Sequence, residues 1–465
     1  MITTTQGTFA GDSPFMNRPW LWGYTGIGVD MSRDGQTIIV GGVPTAEIWL
    51  KSKSKYIWTK QPSDKPSFLG AQVTGLKTLK LTFDNSFNLD TEKANFSIKD
   101  SAGNSVDVAS WSALDGNSSL GYSTEVTLVN NVRIGTVYTI SHPIFGSQES
   151  DLGSLWNRQE FNDAYYYSGD DLGYTYSVGK TDFRVWAPTA DSVDLVTYAN
   201  AATSVNDGVV LPMTQSVKGT WTATLSGNQD GTIYMYRAHF GSKINEAIDP
   251  YARAATINGN RGVVVNLAST NPTGWDTTAR PAFNDGNPTD AIIYELHVRD
   301  FSMDSSSNIP VADRGKYKAF TYLNTKLTVG KNSTPTGLAA IKDLGVTHIE
   351  LQPIYDFGSV DETGDGNQYN WGYDPKNYNV PEGSYSSNAA DPKARIIELK
   401  QAIMAIHQSG LRVNMDSVYN HVQDSTNFSF EKLVPGYWYR RDASGTKTSA
   451  SGCGNDTATE NPMVS

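Results

Sequence analysis

Along the first 145 or so residues, apolar and polar positions alternate in short runs separated by turn residues. Leu79, Leu81 and Phe83 point one way and Lys80 and Thr82 the other, a period of two that predicts half-buried strands. Trp20, Trp22, Trp49 and Trp58 crowd the first sixty positions, and Pro62 and Pro66 punctuate a joint. Two small β regions are therefore expected, over 1–62 and 63–148. The tryptophans read either as ordinary sandwich core or as a platform on which sugar rings stack. A third block, 149–275, repeats the alternation in Phe183-Arg-Val-Trp, Val193-Asp-Leu-Val, Trp221-Thr-Ala-Thr-Leu and the run from Ile233 to Phe240. Strands so spaced, with no long helical period among them, predict a β-sandwich.

After a joint rich in Pro, Gly, Asn and Asp around 271–290 the pattern changes, and 285–465 reads as a separate domain. Ala291 to Val298 is a nearly continuous apolar strand, Gly337 to Leu344 a helix, and His348-Ile-Glu-Leu-Gln-Pro-Ile a second strand. A longer helix is expected with Asp391 as N-cap and Pro392 at its first position. Its apolar stripe is Ile396, Ile397, Ile403, Met404 and Ile406, and Gly410 ends it. Leu411 to Tyr419 is the third strand. The order βαβαβ with right-handed crossovers predicts a parallel sheet, either open or closed into a barrel.

Composition narrows the ligand. Of 465 residues, 38% are hydrophobic and 18% charged, with 24 Tyr and 11 Trp, as in a globular, strand-rich protein. The net charge of −11 argues against binding to nucleic acid or anionic membrane by a broad basic surface. Cys453 is the only cysteine, so neither an intrachain disulfide nor a clustered-cysteine zinc site is available. The six histidines have no close metal-ligand spacing, and no apolar run approaches 18 residues. The start lacks the basic and apolar stretches of a leader, and localisation stays open between a secreted and a cytoplasmic protein.

The richest chemistry lies in Tyr369-Asn-Trp-Gly-Tyr-Asp-Pro375, between the second and third expected strands. Gly372 and Pro375 keep it out of regular helix, so Tyr369, Trp371 and Tyr373 are displayed from a loop beside Asp374. Flat rings next to a carboxylate suit a sugar, which offers C–H faces to stack and hydroxyls to bond. In a barrel, functional groups follow the carboxyl ends of strands, and both this loop and Asn420-His421 do so. An inward Asp416 needs a partner, because an unpaired buried carboxylate is costly, and a cation on a following strand is expected. By itself His421 reads as a histidine satisfied by backbone. Asp361-Glu-Thr-Gly-Asp-Gly-Asn has the oxygens of a calcium loop without the ligand spacing, and a solvated loop is expected there.

Several motifs resemble one family. Tyr167-Ser-Gly-Asp-Asp-Leu-Gly and Phe183-Arg-Val-Trp-Ala-Pro-Thr-Ala resemble the family 48 carbohydrate-binding module that precedes the barrel in starch-debranching enzymes. Asp416-Ser-Val-Tyr-Asn-His421 resembles the first signature of glycoside hydrolase family 13. The heptapeptide, with Tyr294-Glu-Leu-His-Val-Arg-Asp-Phe-Ser and Pro381-Glu-Gly-Ser-Tyr-Ser, is similar to the type I pullulanases of that family. The likeness spans about 160–465. Upstream, Glu47-Ile-Trp-Leu with Tyr56-Ile-Trp looks like the end of a family 41 glucan-binding module.

The resemblance implies a multidomain chain of N-terminal β-sandwich modules followed by an incomplete (β/α)8 TIM barrel, its first three strands. It implies hydrolysis of α-1,6-glucosidic bonds in pullulan, amylopectin and limit dextrins, with pullulan, amylopectin or glycogen as the polysaccharide partner. Tyr373 would stack on one glucose, Asp374 and His421 would bond to it, Tyr369 and Trp371 would add to the binding surface, and Asp416 and Asn420 would support the site. No organic cofactor is implied, and calcium is left open without an assigned site.

Retaining glycosidases need two carboxyl groups about 5–5.5 Å apart. The family motifs that carry them, resembling Gly-Phe-Arg-Phe-Asp and Gly-Glu-Gly-Trp, do not occur in these 465 residues. The nucleophile and general acid are thus expected beyond Ser465, in a C-terminal half of the barrel, and this chain alone is expected to lack turnover. The alternatives are a non-catalytic α-glucan-binding protein, or a related isoamylase or branching enzyme.

Overall fold

The computed structural model describes residues 66–114, 121–132, 136–151, 159–241, 243–283, 286–364, 366–442 and 446–464, with the backbone pairing of short strands before them. The side chains of Trp20, Trp22, Trp49 and Trp58, and the region expected over 1–62, lie outside the described residues. The chain divides into two compact units, Met1–Phe161 and Asn162–Ser465.

In the first unit, a seven-stranded sheet is built around the paired strands Phe68–Val73 and Thr78–Phe87. The alternation is realised there: Leu79, Leu81 and Phe83 are fully buried while Lys80 and Thr82 are half-exposed. Phe83 stacks on Phe68 at 4.8 Å and meets Phe87 edge-on at 4.6 Å, so aromatic pairs on one face join neighbouring positions of the sheet.

The second unit opens with a sandwich. One sheet carries Lys180–Trp186 paired with Thr220–Ser226, and the other carries Ser192–Tyr198 paired with Ile233–Phe240. Phe183, Leu195, Tyr234 and Tyr236 are buried between them. A turn at Ile257–Gly259 leaves this sandwich and reaches the next part of the same unit.

That part is the beginning of a barrel. Ile293–Leu296, His348–Leu351 and Arg412–Met415 form a parallel three-stranded sheet, in register from Ile293 through His348 to Arg412. Helices Gly337–Asp343 and Ala394–Gln408 are the crossovers. Leu338, Ile341, Ala402, Ala405 and Ile406 pack with Ile349 and Leu351 of the sheet in one core. Each strand is shorter than its apolar run, because the ends peel into loops.

Two details of the long helix differ from expectation. Asp391 accepts from the Lys393 amide at 2.9 Å and so closes a turn before the helix, which begins at Ala394. Its buried face includes Arg395, Glu398, Ala402 and Ala405, while Ile397 and Ile403 are half-exposed. The reason is that the helix is enclosed from more than one side: Ile396 packs with Ala254, Val263 and Val265 of the sandwich, and Ile406 with the barrel sheet.

The outer barrel strand Ile293–Leu296 pairs on one side among the described residues, and Ile293 and Tyr294 are exposed. Ser192–Tyr198 is paired on both sides and its apolar residues are buried. Amide hydrogen exchange of the chain should therefore be faster in 293–296 than in 192–198. Equal protection of the two strands would contradict this.

Candidate functional site

The heptapeptide sits at the crest of a loop whose two legs pair as a short hairpin, Tyr355–Phe357 with Pro375–Pro381. Gly372 takes φ +91°, and its amide donates to Asn370 Oδ1 at 2.7 Å. A side chain there would meet the Pro353 carbonyl at 2.9 Å, so only glycine lets the loop fold down against the end of the second strand. This turn sends the aromatic residues in two directions.

One group is centred on Tyr373. Its hydroxyl donates to Asp416 Oδ2 at 2.7 Å, and its carbonyl accepts from His421 Nε2 at 2.7 Å. His421 Nδ1 lies 2.7 Å from the side-chain amide of Asn420. The partner of Asp416 is thus a phenol and not the expected cation. Burial and the adjacent Asp416 raise the Tyr373 pKa, which keeps the phenol protonated and the bond intact. Asp374 accepts from Asn370 Nδ2 at 2.8 Å and from Ser359 Oγ at 2.9 Å, while burial raises its pKa.

Tyr369 and Trp371 form a second, more exposed group. Their rings meet edge-on at 6.4 Å, Tyr369 lies over His297 at 4.9 Å, and its hydroxyl donates to Asp300 at 3.2 Å. Together with Glu295 and Gln352 they line a 470 Å³ cleft. Both groups belong to the loops at the carboxyl end of the parallel sheet.

The chain also holds a buried polar cluster that sequence reasoning did not assign. Asp356, Glu362 and Glu382 bring carboxylate oxygens within 4.8 Å of one another. By proximity they could hold a metal ion, but the fully buried guanidinium of Arg395 already pairs with Glu362, at 2.8 and 3.0 Å. Glu382 accepts from the amides of Ser384 and Phe357. The loop expected to be solvated at Asp361 thus turns inward at Glu362, drawn by an arginine 33 residues away. Its signal in the sequence was faint: Arg395, beside Ile396 in a helix read for its apolar stripe.

A family model of carbohydrate-binding module 48 (isoamylase N-terminal domain) matches residues 171–252, and one of the α-amylase catalytic domain matches 336–440. Over 334 residues the chain is 39% identical to a pullulanase of Bacillus subtilis (strain 168), covering 72% of this chain and 44% of that one. It is 32% identical over 346 residues to the chloroplastic pullulanase 1 of Arabidopsis thaliana, covering 65% and 34%. The crystal structure of an Anoxybacillus sp. LM18-11 pullulanase complexed with maltotetraose superposes with a TM-score of 0.71 at 37% identity, over 85% of this chain and 54% of that one. The chain belongs to the pullulanases of glycoside hydrolase family 13. It spans less than half the length of these two curated pullulanases.

The acidic cluster has an electrostatic consequence. Burial pushes Asp356 up to about 7 and Glu382 up to about 8, each further opposed by its carboxylate neighbours, while Arg395 partly offsets the shift at Asp356. Both values lie above those of an unfolded carboxylate, so between about pH 4 and 8 these two groups bind more protons in the folded chain than in the unfolded one. The contribution of these two acids to the stability of the second unit should therefore fall as pH rises from about 5 to 8, against an opposite contribution from His348 and His407, whose pKa values burial lowers. Asp356→Asn, which mimics the protonated acid, should flatten that slope in denaturant titrations; an unchanged slope would remove Asp356 from the account.

Proposed function

We propose that the Tyr373 group is a glucose-binding subsite for an α-glucan, belonging to an activity that hydrolyses α-1,6 linkages. The observation that carries this reading is the double anchoring of Tyr373, with its hydroxyl on Asp416 and its carbonyl on His421. A tyrosine held through its hydroxyl and through its backbone loses little freedom when a sugar stacks on its ring, which is the condition for a preorganised subsite. Asp374 stands next to it as a hydrogen-bond acceptor for hydroxyls, and the related pullulanase was solved with maltotetraose. Tyr369 and Trp371, exposed beside their own cleft, would receive a neighbouring part of the glucan.

His421 has a constraint of its own. Its Nε2 is engaged by the Tyr373 carbonyl, so a bond from His421 to a sugar hydroxyl must replace that contact or share it. The finer assignment, to pullulan, amylopectin or glycogen, rests on the resemblance to type I pullulanases. In an enzyme carrying the family's two carboxylates, cleavage would proceed with retention through a covalent glycosyl intermediate.

Calorimetric titration with maltotetraose should show binding that Tyr373→Ala weakens at least about ten-fold, the scale of a lost stacking contact and its hydrogen bond. Equal affinity of the variant would remove Tyr373 from the subsite. A second reading, glucan binding without chemistry, is favoured for this polypeptide by the absence of both carboxylate motifs from its 465 residues. Incubated with pullulan, the chain should release no reducing sugar. Sustained release would mean that other acids, within these residues, do the cutting.

A further inference from the structure

The turn at Ile257–Gly259 belongs to the sandwich, yet most of its polar atoms are spent on the barrel loops. Asn258 adopts φ 58°, ψ 22°, a left-handed conformation that asparagine tolerates better than most residues. Its amide donates to Glu362 Oε2 at 2.6 Å, and its side-chain oxygen accepts from the Glu362 amide at 2.7 Å. Its side-chain nitrogen reaches Asp361 at 3.1 Å. On the other side, the Asn258 carbonyl accepts from Lys376 Nζ at 2.5 Å, and the Gly259 carbonyl from Asn377 Nδ2 at 3.0 Å. A side chain on Gly259, which has φ +61°, would drive into the Asp356 carboxylate.

These contacts fall on both legs of the loop that carries the aromatic crest. Asp361 and Glu362 precede Tyr369 to Pro375, and Lys376 and Asn377 follow it directly. The first leg is also tied to the crest itself. Gly358 donates to the Asp374 carbonyl at 3.0 Å, Ser359 to the Asp374 carboxylate, and Asp361 to the Gln368 side chain at 2.6 Å. The turn therefore grips a frame of which Asp374 is one corner.

We infer that Asn258 and Gly259 are positioning residues for the glucan subsite, clamping the two legs of the loop that presents Tyr373 and Asp374. The sandwich then contributes to sugar binding without touching sugar. Freed of the clamp, the legs keep their short and irregular hairpin pairing, the Arg395–Glu362 ion pair and the ties to the crest but lose the bonds that hold both of them to the turn, and the crest samples orientations in which Tyr373 leaves Asp416. The inference rests on the glucan reading for its functional consequence, and on loop order alone for its structural one.

The test compares the 465-residue chain with Asn258→Gly, which keeps the left-handed backbone but deletes the side-chain bonds, with Gly259→Ala, and with Tyr373→Ala. Maltotetraose affinity is measured by calorimetry and loop order by amide hydrogen exchange. Both turn variants should bind about ten-fold more weakly, the effect of one or two lost hydrogen bonds. Exchange should quicken in 357–378 but not in Ser192–Tyr198 or Ile233–Phe240, a selectivity that general destabilisation would not produce. A folded Asn258→Gly variant with unchanged affinity and exchange overturns the clamp, even should Gly259→Ala fail to fold. If the parent chain does not bind maltotetraose, or binds it independently of Tyr373, the glucan reading fails, and exchange in 357–378 alone decides whether the clamp exists.

Discussion

The arrangement of the barrel loops depends on one buried ion pair, Arg395 with Glu362. Arg395 is fully enclosed, and besides Glu362 it donates to the carbonyls of Pro381 and Ala389. Breaking such a pair leaves an uncompensated charge in a low-dielectric interior and typically costs about 3–5 kcal/mol. The guanidinium is planar and its donors are fixed in direction, so it holds the helix start, the Asp361 loop and the strand after the heptapeptide in one geometry. Lysine could supply the charge but not the fork.

From that anchor the site follows in steps. Glu362 receives the Asn258 amide, Asp356 lies under Gly259, and the same loop passes through Gly358 and Ser359 to Asp374. Tyr373, next in line, is pinned by Asp416, directly after the third barrel strand, and by His421 further on. The aromatic crest is thus held from the sandwich side and from the sheet side at once. The acids of this network differ in kind. The Glu362 carboxylate accepts from a guanidinium and from the Asn258 amide, whereas Asp356 and Glu382 are held towards their neutral forms by burial.

Much of this was legible in the residues because it is local. Period-two alternation placed Leu79, Leu81 and Phe83 in a sheet, and the spacing of strands and helices gave the order of the parallel sheet. Gly372 and Pro375 marked a loop, and His421 fell just past a strand end. What was misread depends on distant partners. Ile397 and Ile403 appeared to belong to a single buried stripe, but the helix packs on two bodies. Glu362 appeared to be solvated, because nothing near it in sequence reveals Arg395.

The sequence by itself therefore determined the alternation of the β regions, the order of strands and helices in the parallel sheet, and the residue types offered to a sugar, since these follow from periodicity, turn chemistry and short motifs. Only the tertiary structure decided which polar groups meet. Asp416 found the Tyr373 hydroxyl instead of a cation, and the turn at Asn258 found loops more than a hundred residues away. Pairing of that kind is set by how segments distant in sequence pack together, and no local pattern of hydrophobic and polar positions encodes it.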